Sequence, residues 1–187
     1  MHGLFILSRA FERVSNFVGR IAVWLLLVLM LVIITDVTLR HWFVIGSTKL
    51  QELEWHLHGA LFLLCLAWAY TKGAHVRIEL MSERWSKRTS AMIEMMGCLL
   101  LLLPYIAAIL TFGWDYVSYS VEYREASASA TGLPNRWIIK SMIVAGFGLL
   151  GLSALSRLFD SIIFLFGPSE LAVKTQFYAA PRAERAP

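Results

Sequence analysis

Charge is scarce in this chain: 16% of its 187 residues are Asp, Glu, Lys or Arg, and those few stand between apolar runs rather than among them. A soluble domain carries roughly a quarter of its residues as charges, mixed throughout. Cysteine is scarcer still. Cys65 and Cys98 both fall inside apolar runs, too few for a disulfide framework or a four-ligand metal site, and they read as small packing residues. The chain has no G-x-x-x-x-G-K-[ST] phosphate loop, no H-E-x-x-H and no G-x-S-x-G, so the best-known nucleotide, zinc-protease and serine-hydrolase signatures are missing. The net charge of +4 sits in segments flanking the apolar runs, not in a patch that would suit nucleic acid.

Apolar sequence is what remains: 58% of residues are hydrophobic and the mean hydropathy is +0.63. A bilayer core about 30 Å thick needs about 20 mainly apolar helical residues to cross it. Four runs qualify: 21–39, 53–70, 91–114 and 137–159. They are too long and too unalternating for strands, and an open sheet cannot satisfy its backbone in lipid. The expectation is an all-α membrane protein, a single domain of four transmembrane helices. Residues 1–18 form an amphipathic helix, with Leu4, Leu7, Phe11, Val14 and Val18 on one stripe, lying on the membrane surface or packing as an arm. Residues 76–88 carry a similar mixture. The first run lacks an A-x-A-like cleavage site and reads as an uncleaved anchor.

Lys and Arg set the orientation. Twelve fall in the N-terminus, the 71–90 loop and the tail; five fall in the other two connections. The side with twelve is expected to be cytoplasmic, which places both termini and the 167–187 tail inside and the 115–136 loop outside. Trp42, Trp55, Trp114, Tyr116 and Trp137 mark the outer ends, and Trp24, Trp68, Tyr70 and Trp85 the inner ends, as expected of aromatic belts. Thr48-Lys49-Leu50-Gln51 fits a capping box for the second helix, Gly73 suits its far end, and Pro134-Asn135 opens the fourth.

Ionisable groups in or beside a membrane span are costly and call for partners. Asp36 stands four residues before Arg40, the spacing of an i,i+4 ion pair; the competing role is a polar contact to a partner subunit. Glu52 and Glu54 suit the N-terminus of the second helix, but i,i+2 residues point about 200° apart and do not share a site. Glu94, one turn into the third helix, has Arg88 or Lys87 in reach as salt-bridge partners, or a buried contact to another subunit. Arg136 and Lys140 are cations at a helix N-terminus, where the dipole opposes them. At least one ion pair with Glu52, Glu54, Glu122 or Glu125 is expected there, tying the outer ends of the second and fourth helices. His56 and His58 face opposite ways on one helix, and the third and fourth helices have no histidine, a poor layout for bis-His haem. Gly146, Gly148, Gly151 and Ala154 permit close helix contact.

Three stretches share an order that is specific. Arg40-His41-Trp42-Phe43 closes the first helix, Gln51-Glu52-Leu53-Glu54-Trp55 opens the second, and Gly73-Ala74-His75-Val76-Arg77-Ile78-Glu79-Leu80 follows it. Together they resemble the small membrane subunit, DctQ type, of tripartite ATP-independent periplasmic (TRAP) transporters, over roughly residues 17 to 160. Gly132-Leu133-Pro134-Asn135-Arg136-Trp137 resembles a branch with a longer third loop. The departure is Leu53, which separates two glutamates that are often adjacent in that family, leaving open which one matches. The resemblance implies a bacterial inner-membrane protein that is no enzyme and binds no cofactor. Its expected partners are membrane lipids, a large membrane subunit (DctM type) that carries organic acid and sodium, and a periplasmic substrate-binding protein. It also places His75 and Arg77 in the motif after the second helix. The competing reading is a haem- or quinone-associated membrane anchor of a redox enzyme.

Overall fold

The computed structural model describes residues 1–73, 86–175, 177 and 178. His75, Arg77, Trp85 and most of the second amphipathic segment lie outside the described residues. The described residues are helical, without strands: α1 (His2–Ala22), α2 (Leu25–Trp42), α3 (Thr48–Thr71), α4 (Lys87–Gly97), a π-helical turn (Cys98–Leu102), α5 (Leu103–Glu122), α6 (Trp137–Phe166) and the short α7 (Ser169–Ala172).

Three stretches of helix among the described residues are long and apolar enough to cross a membrane: His2–Trp42, Lys87–Glu122 and Trp137–Phe166. The first is α1 and α2 run together through Val23 and Trp24, where three-residue turns such as Trp24 N–H to the Ile21 carbonyl (3.1 Å) replace the α-helical bonds. The amphipathic N-terminus is thus continuous with the first apolar run. The second unites α4, the π turn and α5. Pro104 has no N–H to offer, and just before it the Leu103 N–H reaches back five residues to the Cys98 carbonyl; one widened turn keeps the helix continuous through the proline. α5 continues to Glu122, two turns beyond the apolar run that ends at Trp114. α3 has 24 residues but a polar start, with Glu52, Glu54, His56 and His58 in its first three turns.

The helix caps differ in detail from the sequence reading. Ser47, in extended conformation, caps α3 by accepting from the Leu50 N–H at 3.4 Å, one residue ahead of the box beginning at Thr48. Gly73, at φ 61°, closes the far end with its N–H on the Tyr70 carbonyl, a conformation glycine adopts at little cost.

α6 is the hub. It packs against α1, α3, α4 and α5, while α2 packs mainly on α3. The core where they meet sets small side chains against large ones: Ala67 and Ala154 are fully buried, and Ile106 and Leu150 nearly so. α1 docks by small residues. The face it buries is Ser8, Ser15, Gly19 and Ala22, whereas Leu7 and Val14 point outward. Small residues let helix backbones approach where lipid supplies no hydrophobic drive between helices.

Candidate functional site

Polar side chains gather at the two ends of this bundle. At one end the last turns of α2, the first turns of α3 and α6 and the 123–136 loop meet. Asp36 is 2% exposed and pairs with Arg40 through Oδ2. The Gln51 carboxamide, with its oxygen turned to Arg40, accepts from both guanidinium Nη atoms at 2.8 and 3.2 Å. Asp36, Val37, Arg40, His41, Gln51, Glu54 and Trp55 line an open cleft of about 420 Å³.

Glu52 and Glu54 part company, as their spacing requires. Glu52 is buried and holds the loop: its Oε2 accepts from the Leu133 N–H at 2.6 Å and its Oε1 from the Ser127 hydroxyl. Glu54 turns to the cleft. Gly132 gives the loop room, since a Cβ there would lie 2.8 Å from Glu52 Oε1. Lys140, 7% exposed, pairs with Glu125 and lies 3.7 Å from the centre of the Tyr116 ring. The Lys140 ammonium holds the Glu125 carboxyl below its ordinary value. Arg136 donates its backbone N–H to the Glu125 carbonyl at 3.0 Å. The Lys140–Glu125 ion pair therefore joins α6 to the loop after α5, and the tie from the loop to α3 is made by hydrogen bonds to Glu52.

At the opposite end α1 is fastened to α6. Asp160, fully buried, accepts from Ser8 Oγ at 2.6 Å and from Arg9 Nη2 at 2.7 Å. Ser156 Oγ donates to the Ser8 carbonyl at 2.9 Å, and Ser153 Oγ to Ser15 Oγ at 2.8 Å. Arg157 donates to the Thr71 carbonyl at 3.0 Å and the Tyr70 carbonyl at 3.3 Å, satisfying carbonyls left open by the end of α3. Glu94 accepts from the Tyr70 hydroxyl at 3.2 Å.

Among the described residues neither end assembles a nucleophile, base and oxyanion donors. Both ends tie helices together. The model of the DctQ component of tripartite ATP-independent periplasmic transporters matches residues 29–163 of the chain. The chain belongs to the DctQ family. No curated protein and no solved structure matches it. A DctQ chain is a transporter component and not a member of an enzyme family, and the long apolar helices make this one a multi-pass membrane protein.

In this DctQ chain the α1–α6 seam was invisible to a hydropathy reading. Ser8, Ser15, Ser153, Ser156 and Asp160 lower the apolar score of their helices, and Arg157 counts there only as a flanking cation. The available signal is spacing: Ser8, Ser15 and Ala22 recur every seven residues, and Ser153, Ser156 and Asp160 recur at intervals of three and four. Those are the repeats of one helix face.

Proposed function

We propose that this chain is the small membrane subunit of a TRAP transporter for organic acids, a scaffold for the large transport subunit and no part of the substrate path. It crosses the bacterial inner membrane four times, with α3 as the second span and both termini cytoplasmic. Sodium coupling resides in the large subunit, and a periplasmic binding protein delivers the substrate. The observation that carries this reading is the family match across residues 29–163. Two features support it. α2 buries only Leu29 and Asp36 and leaves Leu27, Leu31, Ile34 and Val37 exposed on several sides, the surface of a bundle with room for a neighbour. Among the described residues many of the buried polar side chains bond from one helix to another or to the 123–136 loop, as Asp160 does to Ser8 and Glu52 to Leu133.

Deleting this chain from its native host tests the role. Binding-protein-dependent uptake of organic acid is expected to disappear and to return when the chain is supplied in trans. Unchanged uptake in the deletion strain would overturn it.

A further inference from the structure

The cleft at the end of α2 has an unbalanced charge and unmet hydrogen-bonding capacity. Asp36 and Glu54 face a single guanidinium, Arg40, with His41 as the remaining ionisable group in the lining. Arg40 serves Asp36 Oδ2. Asp36 Oδ1 and Glu54 Oε1 are each enclosed and accept no hydrogen bond, and Asp36 is nearly inaccessible as a whole. An enclosed carboxylate oxygen without a donor is a costly thing to keep.

What would satisfy it must fit the surroundings. Trp55, at 69% exposed, lines the cleft, and exposed Ile34 and Val37 run up to it along α2. A hard divalent cation needs six or more oxygens, and no group of three or more His, Cys, Asp or Glu side chains that could hold a metal is found among the described residues. A Lys or Arg side chain meets the need: its alkyl stem lies along apolar surface while its tip donates to a carboxylate.

We propose that this cleft receives one cationic side chain, Lys or Arg, from a transmembrane helix of the large membrane subunit packed along α2, with Glu54 as its principal acceptor. The inference rests on the assembly proposed above and assigns it a contact. Charge complementarity selects this occupant: two carboxylates and one guanidinium leave one negative charge over, and the adjoining surface is apolar as a helix partner requires.

The test uses the full complex in native membranes. A photo-crosslinking p-benzoylphenylalanine placed at position 55, beside Glu54, is expected to couple to a transmembrane peptide of the large subunit that contains Lys or Arg. Separately, Glu54→Gln is expected to lower retention of the large subunit on the tagged chain at least about tenfold, the scale seen when one partner of a desolvated charge pair is removed. Coupling to a peptide without either residue, coupling to lipid alone, or wild-type retention by a Glu54→Gln chain of normal helicity overturns the assignment. Should Glu54→Gln fail to fold, the crosslink made with Glu54 intact still decides. If the wild-type chain isolates with no large membrane protein, the assembly itself fails and the contact falls with it. If it isolates with one and the contact tests fail, only the cleft assignment is lost.

Discussion

A methyl group added at position 146 would lie 2.6 Å from the Leu63 carbonyl oxygen, an atom of α3 that cannot move without its helix. At position 148, two residues along, the same methyl meets nothing within 4 Å. The two glycines thus play different parts. Gly146→Ala is expected to force α6 away from α3 and cost about 1–3 kcal/mol, the range for overpacking. Gly148→Ala is expected to be neutral or stabilising, because alanine is the better helix former by up to about 1 kcal/mol. Thermal melts of both variants in one detergent check the contrast. Lys140 and Glu125 give a second prediction. The Glu125 carboxyl is held below its ordinary value of 4.5, chiefly by Lys140. A group depressed in the folded state stabilises fully above its unfolded pKa and loses that contribution as pH falls through the folded value. Glu125→Gln is therefore expected to melt below wild type at pH 7. The gap should close as pH drops below 4.5, as melts taken across that range would reveal.

At the scale of elements, the seam between α1 and α6 matters most. Asp160 is fully buried and takes bonds from Ser8 and from Arg9, whose side chain is partly exposed. Removing the carboxylate takes one acceptor from each donor, although Ser8 keeps Ser156 and Arg9 keeps Glu12, and a lost hydrogen bond to a charged group costs about 1.5–3 kcal/mol. Asp160→Ala is expected to free α1 while leaving the α3–α5–α6 packing intact, seen as proteolysis within residues 2–22 that wild type resists. Unchanged protection would show that the apolar contacts of α1, such as Phe11 against Phe159 at 6.3 Å between rings, suffice alone. Much of this element structure was legible in the sequence. Long apolar runs give helices because lipid leaves the backbone no other partner, so three of the runs reappear inside helices that meet the length and hydropathy of a span. The extensions were not legible. α5 runs two turns past Trp114 because nothing in Asp115–Glu122 stops a helix, and hydropathy reports solvent preference, not helix ends. The docking face of α1 was legible in part: Phe11 of the apolar stripe packs on Phe159, Leu7 and Val14 point outward, and Ser8, Ser15 and Gly19 dock by being small.

On the scale of the whole molecule, most of the buried polar side chains among the described residues bond within the chain, while the cleft at the end of α2 keeps two carboxylate oxygens without donors. Asp36 with Arg40 could be read from their spacing, since i and i+4 meet on any helix. Glu52 with Ser127 and Leu133 could not, because only the fold brings a loop more than seventy residues away over the start of α3. Glu52 and Glu54 divide accordingly: one carboxylate is consumed inside the chain, and its neighbour faces the cleft at the end of α2. The contact proposed for this cleft depends on the assembly. Affinity purification of the full-length chain from native membranes in mild detergent, with mass-spectrometric identification of what accompanies it, puts this most directly to trial. A stable complex with a larger multi-pass permease is the predicted result; recovery of the chain alone, or with a haem-bearing redox enzyme, would contradict it.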